Sequence, residues 1–106
     1  MVVKQKIGRK RYIAFEIVSS SDKLTRGMLA RSIDELQDEL GTNEKFDVIL
    51  ISGNKGIILT NHRNAAPLTK LLNSFTEDSY GFELKTLRTS GTIKTLKQIY
   101  FLPGRV

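Results

Sequence analysis

Two uninterrupted apolar runs, Val48-Ile49-Leu50-Ile51 and Ile57-Ile58-Leu59, stand close together in this chain, separated by Gly53-Asn54-Lys55-Gly56. A strand with one face in water carries polar residues at every second position. These runs have none, so they read as strands buried on both faces, joined by a hairpin at the glycine-rich turn. The chain must therefore build a sheet with cover on both sides. That cover comes from its own helices or from a partner.

The remaining elements arrange themselves around this hairpin. Arg11 to Val18 alternates as a strand, with Tyr12, Ala14, Glu16 and Val18 on one face and Ile13, Phe15 and Ile17 on the other. After the Ser19-Ser20-Ser21-Asp22 loop, Leu24, Met28, Leu29, Ile33, Leu36 and Leu40 recur at helical spacing. Thr25 suits the N-cap, which puts Leu24 and Leu29 in hydrophobic-staple positions, and Gly41 suits the left-handed C′ position. Phe46–Ser52 and Gly56–Thr60 are the second and third strands. Asn64 is the expected cap of a second helix, with Pro67 in its first turn and Ala65, Leu68, Leu71, Leu72 and Phe75 as its apolar stripe. Phe82–Arg88 is the fourth strand. Ser90 or Thr92 caps a short third helix bearing Ile93, Leu96, Ile99 and Tyr100, which Pro103-Gly104 ends.

The order strand–helix–strand–strand–helix–strand, with right-handed crossovers, predicts an α+β fold: a ferredoxin-like, RRM-like βαββαβ antiparallel sheet with an additional short C-terminal helix. A chain of 106 residues suits one domain. Residues 1–9 read as a basic arm, 10–102 as the domain and 103–106 as a short tail. No apolar run approaches the roughly 18 residues of a membrane helix, and no signal-type stretch follows the N-terminus. The expected location is cytoplasmic, with no membrane partner. The chain has no cysteine and one histidine, His62, so disulfides, thiolate metal sites and two-histidine zinc sites are excluded.

Charge is segregated along the chain. Residues 1–12 hold five Lys and Arg and no acid, and residues 84–106 hold five more and no acid. All eleven Asp and Glu lie in 13–83, against seven Lys and Arg, leaving a net charge of +6. In the expected sheet the fourth strand lies beside the first. The two basic ends then meet in space, as expected of a polyanion binder.

The shared topology makes base stacking on the sheet, as in RNA-recognition motifs, the first possibility to weigh. Strand three, Lys55-Gly56-Ile57-Ile58-Leu59-Thr60, has aliphatics where the stacking rings belong. RNA contact is then expected from basic side chains and backbone aimed at phosphates. Gly91-Thr92 before the last helix, with Lys94, suits a phosphate; an ordinary N-cap turn accounts for the same residues. No Ser-His-Asp or Cys-His catalytic set stands out. Asp34, Glu35, Asp38 and Glu39 form two i,i+4 pairs on the first helix, a solvated face by default. They fill the C-terminal half, with Arg26 and Arg31 in the N-terminal half, against the helix dipole by ~0.3–1 kcal/mol per charge. That placement suggests a protein partner or a need to keep acids away from RNA.

Three stretches carry a family resemblance that extends over about residues 8–101. They are Arg9-Lys10-Arg11-Tyr12-Ile13-Ala14-Phe15-Glu16-Ile17 in strand one, Gly56-Ile57-Ile58-Leu59 in strand three with Arg63 after it, and Ser90-Gly91-Thr92-Ile93-Lys94-Thr95-Leu96-Lys97-Gln98. The last is the most specific. In these the chain resembles the small α/β protein component 2 family of archaeal ribonuclease P, whose eukaryotic relatives also serve RNase MRP. The resemblance implies a non-catalytic subunit of a ribonucleoprotein that removes the 5′ leader from precursor tRNA. The RNA subunit would perform the hydrolysis with its own Mg²⁺, the protein binding no cofactor. The implied partners are RNase P RNA and a barrel-like protein subunit, in a dimer or a heterotetramer. Together with the charge pattern, this assigns RNA phosphates to Lys4, Lys6, Arg9, Lys10 and Arg11, to Arg63, and to Arg88, Lys94 and Lys97 around Gly91-Thr92. A ribosomal or other structured-RNA-binding protein of the same fold is the alternative. An acyl-phosphate-cleaving or ligand-binding module would need an anion-cradling loop with Arg and Asn after strand one, and Ser19–Asp22 supplies neither.

Overall fold

The computed structural model describes residues 9–21, 23–42 and 44–101. Among them the elements run β1 (Lys10–Ser20), α1 (Arg26–Leu40), β2 (Asp47–Ser52), β3 (Lys55–Asn61), α2 (His62–Leu72), α3 (Glu77–Tyr80), β4 (Phe82–Ser90) and α4 (Ile93–Leu96). α4 continues into a π-helical segment, Lys97–Phe101. The sheet order is β2-β3-β1-β4, with each neighbouring pair antiparallel. This is the ferredoxin-like α+β arrangement with a short C-terminal helix added.

Local chemistry explains most element boundaries. Thr25 Oγ1 accepts the Met28 N–H at 3.2 Å, satisfying one of the donors left free at the start of α1. Gly41, at φ 74°, closes α1 in the left-handed region, and its N–H returns to the Asp38 carbonyl. The β2–β3 hairpin is tighter than the four-residue turn expected. Ser52 already pairs with Lys55, and Ile51 with Gly56, leaving Gly53-Asn54 as the turn. Gly53 has φ 63° while Asn54 stays negative, the pattern of a glycine-first hairpin turn.

The start of α2 corrects the sequence reading. The cap is Asn61, whose side chain accepts the Asn64 N–H at 3.0 Å. The cap therefore lies three residues before the expected one, the helix begins at His62, and Pro67 falls inside it. Pro67 leaves the Arg63 carbonyl without its helical donor. α3 was not anticipated. Thr76 caps it through the Ser79 N–H at 3.3 Å, and Gly81 closes it at φ 86°.

The sheet is covered on both faces. On one, Ile13 and Phe15 of β1, Ile58 of β3, and Phe82 and Leu84 of β4 join Leu29, Ile33 and Leu36 of α1 and Leu68, Leu71 and Leu72 of α2. On the other, Ala14 and Ile57 lie under Leu96 of α4, with Tyr12, Ile49, Leu50, Leu87, Ile93, Tyr100 and Phe101 packed around them. The chain thus supplies its own cover for the second face. Two bulges adjust the β1–β4 ladder, one between Ala14 and Phe15 and one between Ile17 and Ser19. The second turns Val18 out of alternation, consistent with its 51% exposure.

Candidate nucleic-acid interface

Strand register decides which basic residues meet. Lys10 pairs with Asn61 across β1–β3, so the start of β1 lies at the end of β3. The His62 N–H donates to the Arg9 carbonyl at 2.7 Å, tying the first basic residues to the start of α2. On the other side of β1, Tyr12 pairs with Ser90, so the end of β4 arrives at the same place. The Arg11 guanidinium lies beside Gly91, its Nη1 3.4 Å from where a Cβ at 91 would stand. The same Nη1 donates to the Lys10 carbonyl at 3.0 Å, which fixes its direction.

One end of the sheet therefore gathers Arg9, Lys10, Arg11, His62, Arg63, Gly91, Thr92 and Lys94 from three chain segments. Residues 9–12, 61–64 and 88–94 contain no acid. Arg9, Lys10, Arg63, Arg88, Lys94 and Lys97 are exposed, and Arg11 is partly buried. Among the described residues no carboxylate forms an ion pair with these cations. Asp47, opposite Leu59, lies on the β2 side of the sheet. The acids of β1 and β4 lie further along the strands, Glu16 opposite Lys55 and Lys85 and Glu83 opposite Ser19, away from the Tyr12–Ser90 end where the cations gather.

The individual placements differ. Arg88 pairs with Ala14, further along the strands than Tyr12–Ser90. Lys94 and Lys97 follow one another at i,i+3, and Lys97 falls in the π-helical segment. Lys4 and Lys6 lie outside the described residues. At the Gly91-Thr92 turn, the Thr92 N–H donates to Ser90 Oγ at 3.2 Å, and Thr92 Oγ1 sits 2.9 Å from Thr95 Oγ1. The turn is thus braced by its own hydroxyls, and Thr92 makes no side-chain cap. Its contribution to an anion site would come from the Gly91 backbone, with Arg11 and Lys94 beside it.

The second sheet face offers no stacking platform, because Leu96, Ile93, Tyr100 and Phe101 occupy it. Tyr12, its one strand aromatic, packs against that cluster. Asp34, Glu35, Asp38 and Glu39 are exposed on α1, as expected. Among the described residues no three His, Cys, Asp or Glu side chains come together in a metal-holding group. No helix there is long and apolar enough to cross a membrane.

The same fold occurs in a solved structure. This chain is similar to a chain in the cryo-EM structure of yeast ribonuclease MRP, with a TM-score of 0.65 and 12% identity over 91% of this chain and 92% of that one. At that identity the likeness is one of fold. No protein-family model matches the sequence, and no curated protein is detectably similar to it.

Sequence reasoning placed β4 beside β1, as the ladder shows, but missed the His62 N–H that joins α2 to Arg9. It also missed the groove between α1 and α2, described below, whose walls come from separate segments.

Proposed function

We propose that this chain is a non-catalytic, RNA-binding protein subunit of ribonuclease P. Its basic sheet end would engage phosphates of the RNA subunit and so support 5′-leader removal from precursor tRNA. One observation carries the reading: three acid-free basic segments meet at one end of a sheet whose other surfaces are occupied by helices. The fold shared with a chain of yeast ribonuclease MRP supports it. Arg11, Arg63 and Lys94 would neutralise phosphates at that end, which positions RNA without reading bases. Neutralising phosphates releases counterions, so the affinity should fall steeply with salt. In this reading Mg²⁺ belongs to the RNA, and the protein contributes charge and shape. A barrel-like protein subunit is the proposed second partner.

Reconstitution tests this. The purified chain, with and without the barrel-like subunit, is added to RNase P RNA and precursor tRNA at limiting Mg²⁺. Leader cleavage should rise only when both proteins are present. No rise, with both proteins folded, would overturn the assignment and favour a binder of another structured RNA.

A further inference from the structure

α1 and α2 pack on the same sheet face, and a groove of about 1020 Å³ opens between them, with Ser79 and Tyr80 of α3 contributing to its wall. Leu36 and Leu71, both in the core, give it an apolar floor, and Leu40 stands on its lining while remaining 58% exposed. Glu35, Glu39 and Glu44 line it against a single cation, Lys70. In a protein of net charge +6, this is a local reversal of sign.

We infer that this groove is a docking site for a cationic segment of a partner protein, one that places aliphatic side chains over Leu36, Leu40 and Leu71 and its ammonium or guanidinium groups against Glu35, Glu39 and Glu44. Charge complementarity selects this occupant. Carboxylates repel RNA phosphates, so nucleic acid held at the basic sheet end leaves the groove available. The placement of the acids also opposes the dipole of α1, whose first turn has no acid and whose last turn has no base. Folding alone would favour the reverse arrangement. The large apolar Leu40 beside these acids supplies the desolvated contact that charge alone does not. The inference does not depend on which RNA the other surface holds.

The probe is a short fluorescein-labelled amphipathic peptide of Leu and Lys, titrated with the full chain and followed by anisotropy. Glu35→Gln with Glu39→Gln should weaken binding about tenfold. Asp34→Asn with Asp38→Asn removes the same charge from the same helix outside the groove, and should weaken it less than about twofold. Leu40→Ala, at an exposed position that folding tolerates, should weaken binding about threefold. In the unmodified protein, peptide-induced NMR shifts should cluster on Leu36, Leu40, Leu71 and Tyr80. Equal weakening by the two double variants, shifts centred elsewhere, or no binding would each overturn the proposal.

Discussion

Phe15 and Gly56 face one another across the β1–β3 ladder, and the Phe15 ring occupies the space that a side chain at 56 would need. A Cβ there would meet the ring and also lie 2.8 Å from the Leu50 carbonyl oxygen. The ring could move only into a filled core, and the carbonyl belongs to the β2 backbone. Gly56→Ala should therefore lower stability by ~1–3 kcal/mol through overpacking. Urea unfolding measures it, with the midpoint falling at constant slope. An unchanged midpoint would show that the contact relaxes freely.

Leu96 is the fully buried residue of α4, set over Ala14 and Ile57. A helix of four residues has no stability of its own. Leu96→Ala should cost ~2–4 kcal/mol. It should also raise hydrogen exchange in residues 93–101 more than in β1 or β3. Uniform acceleration across the sheet would mean that α4 is not a separately anchored cover.

Tyr80 links the groove to pH. Lost hydration raises its phenol pKa, and the Glu39 and Glu35 carboxylates raise it further. A raised folded-state pKa leaves stability intact below the unfolded value of about 10. As pH rises past that value the unfolded chain ionises first, and stability falls until the folded-state pKa is passed. Ultraviolet titration should show a tyrosine ionising above the ordinary phenol value, and Tyr80→Phe should abolish that step and flatten the alkaline loss of stability. An unchanged alkaline profile in the variant would assign the effect to other groups.

The parts of the fold set by short-range chemistry were readable from sequence. Thr25 and Gly41 end α1 because one hydroxyl and one left-handed glycine suffice, whatever surrounds them. The apolar runs of β2 and β3 announced cover on both faces, and α4 provides it. Asn61 and Asn64 show where local reasoning stops. Either amide can cap a helix, and Pro67 favoured the later start, but the ladder delivers Asn61 in extended geometry at φ −102° and ψ 168°. The basic end was legible as far as β1 lies beside β4. The approach of Arg11 to Gly91 and the His62–Arg9 hydrogen bond depend on register, which bulges shift and composition does not reveal. The groove was illegible for a similar reason, since Glu35, Glu44, Lys70 and Tyr80 have no common local pattern.

The central claim is that the cations gathered at one sheet end bind RNA phosphates, and salt dependence tests it most directly. Affinity for RNase P RNA is measured against ionic strength for the unmodified chain and two variants. The first is Arg11→Gln, Arg63→Gln and Lys94→Gln together. The second is Lys55→Gln with Lys85→Gln, which removes the two cations opposite Glu16, away from that end. The first variant should reduce the slope of log affinity against log salt by about two, while the second leaves it nearly unchanged. Equal loss of slope in both would contradict the account, because it would mean that net charge, not the arrangement at the sheet end, holds the RNA.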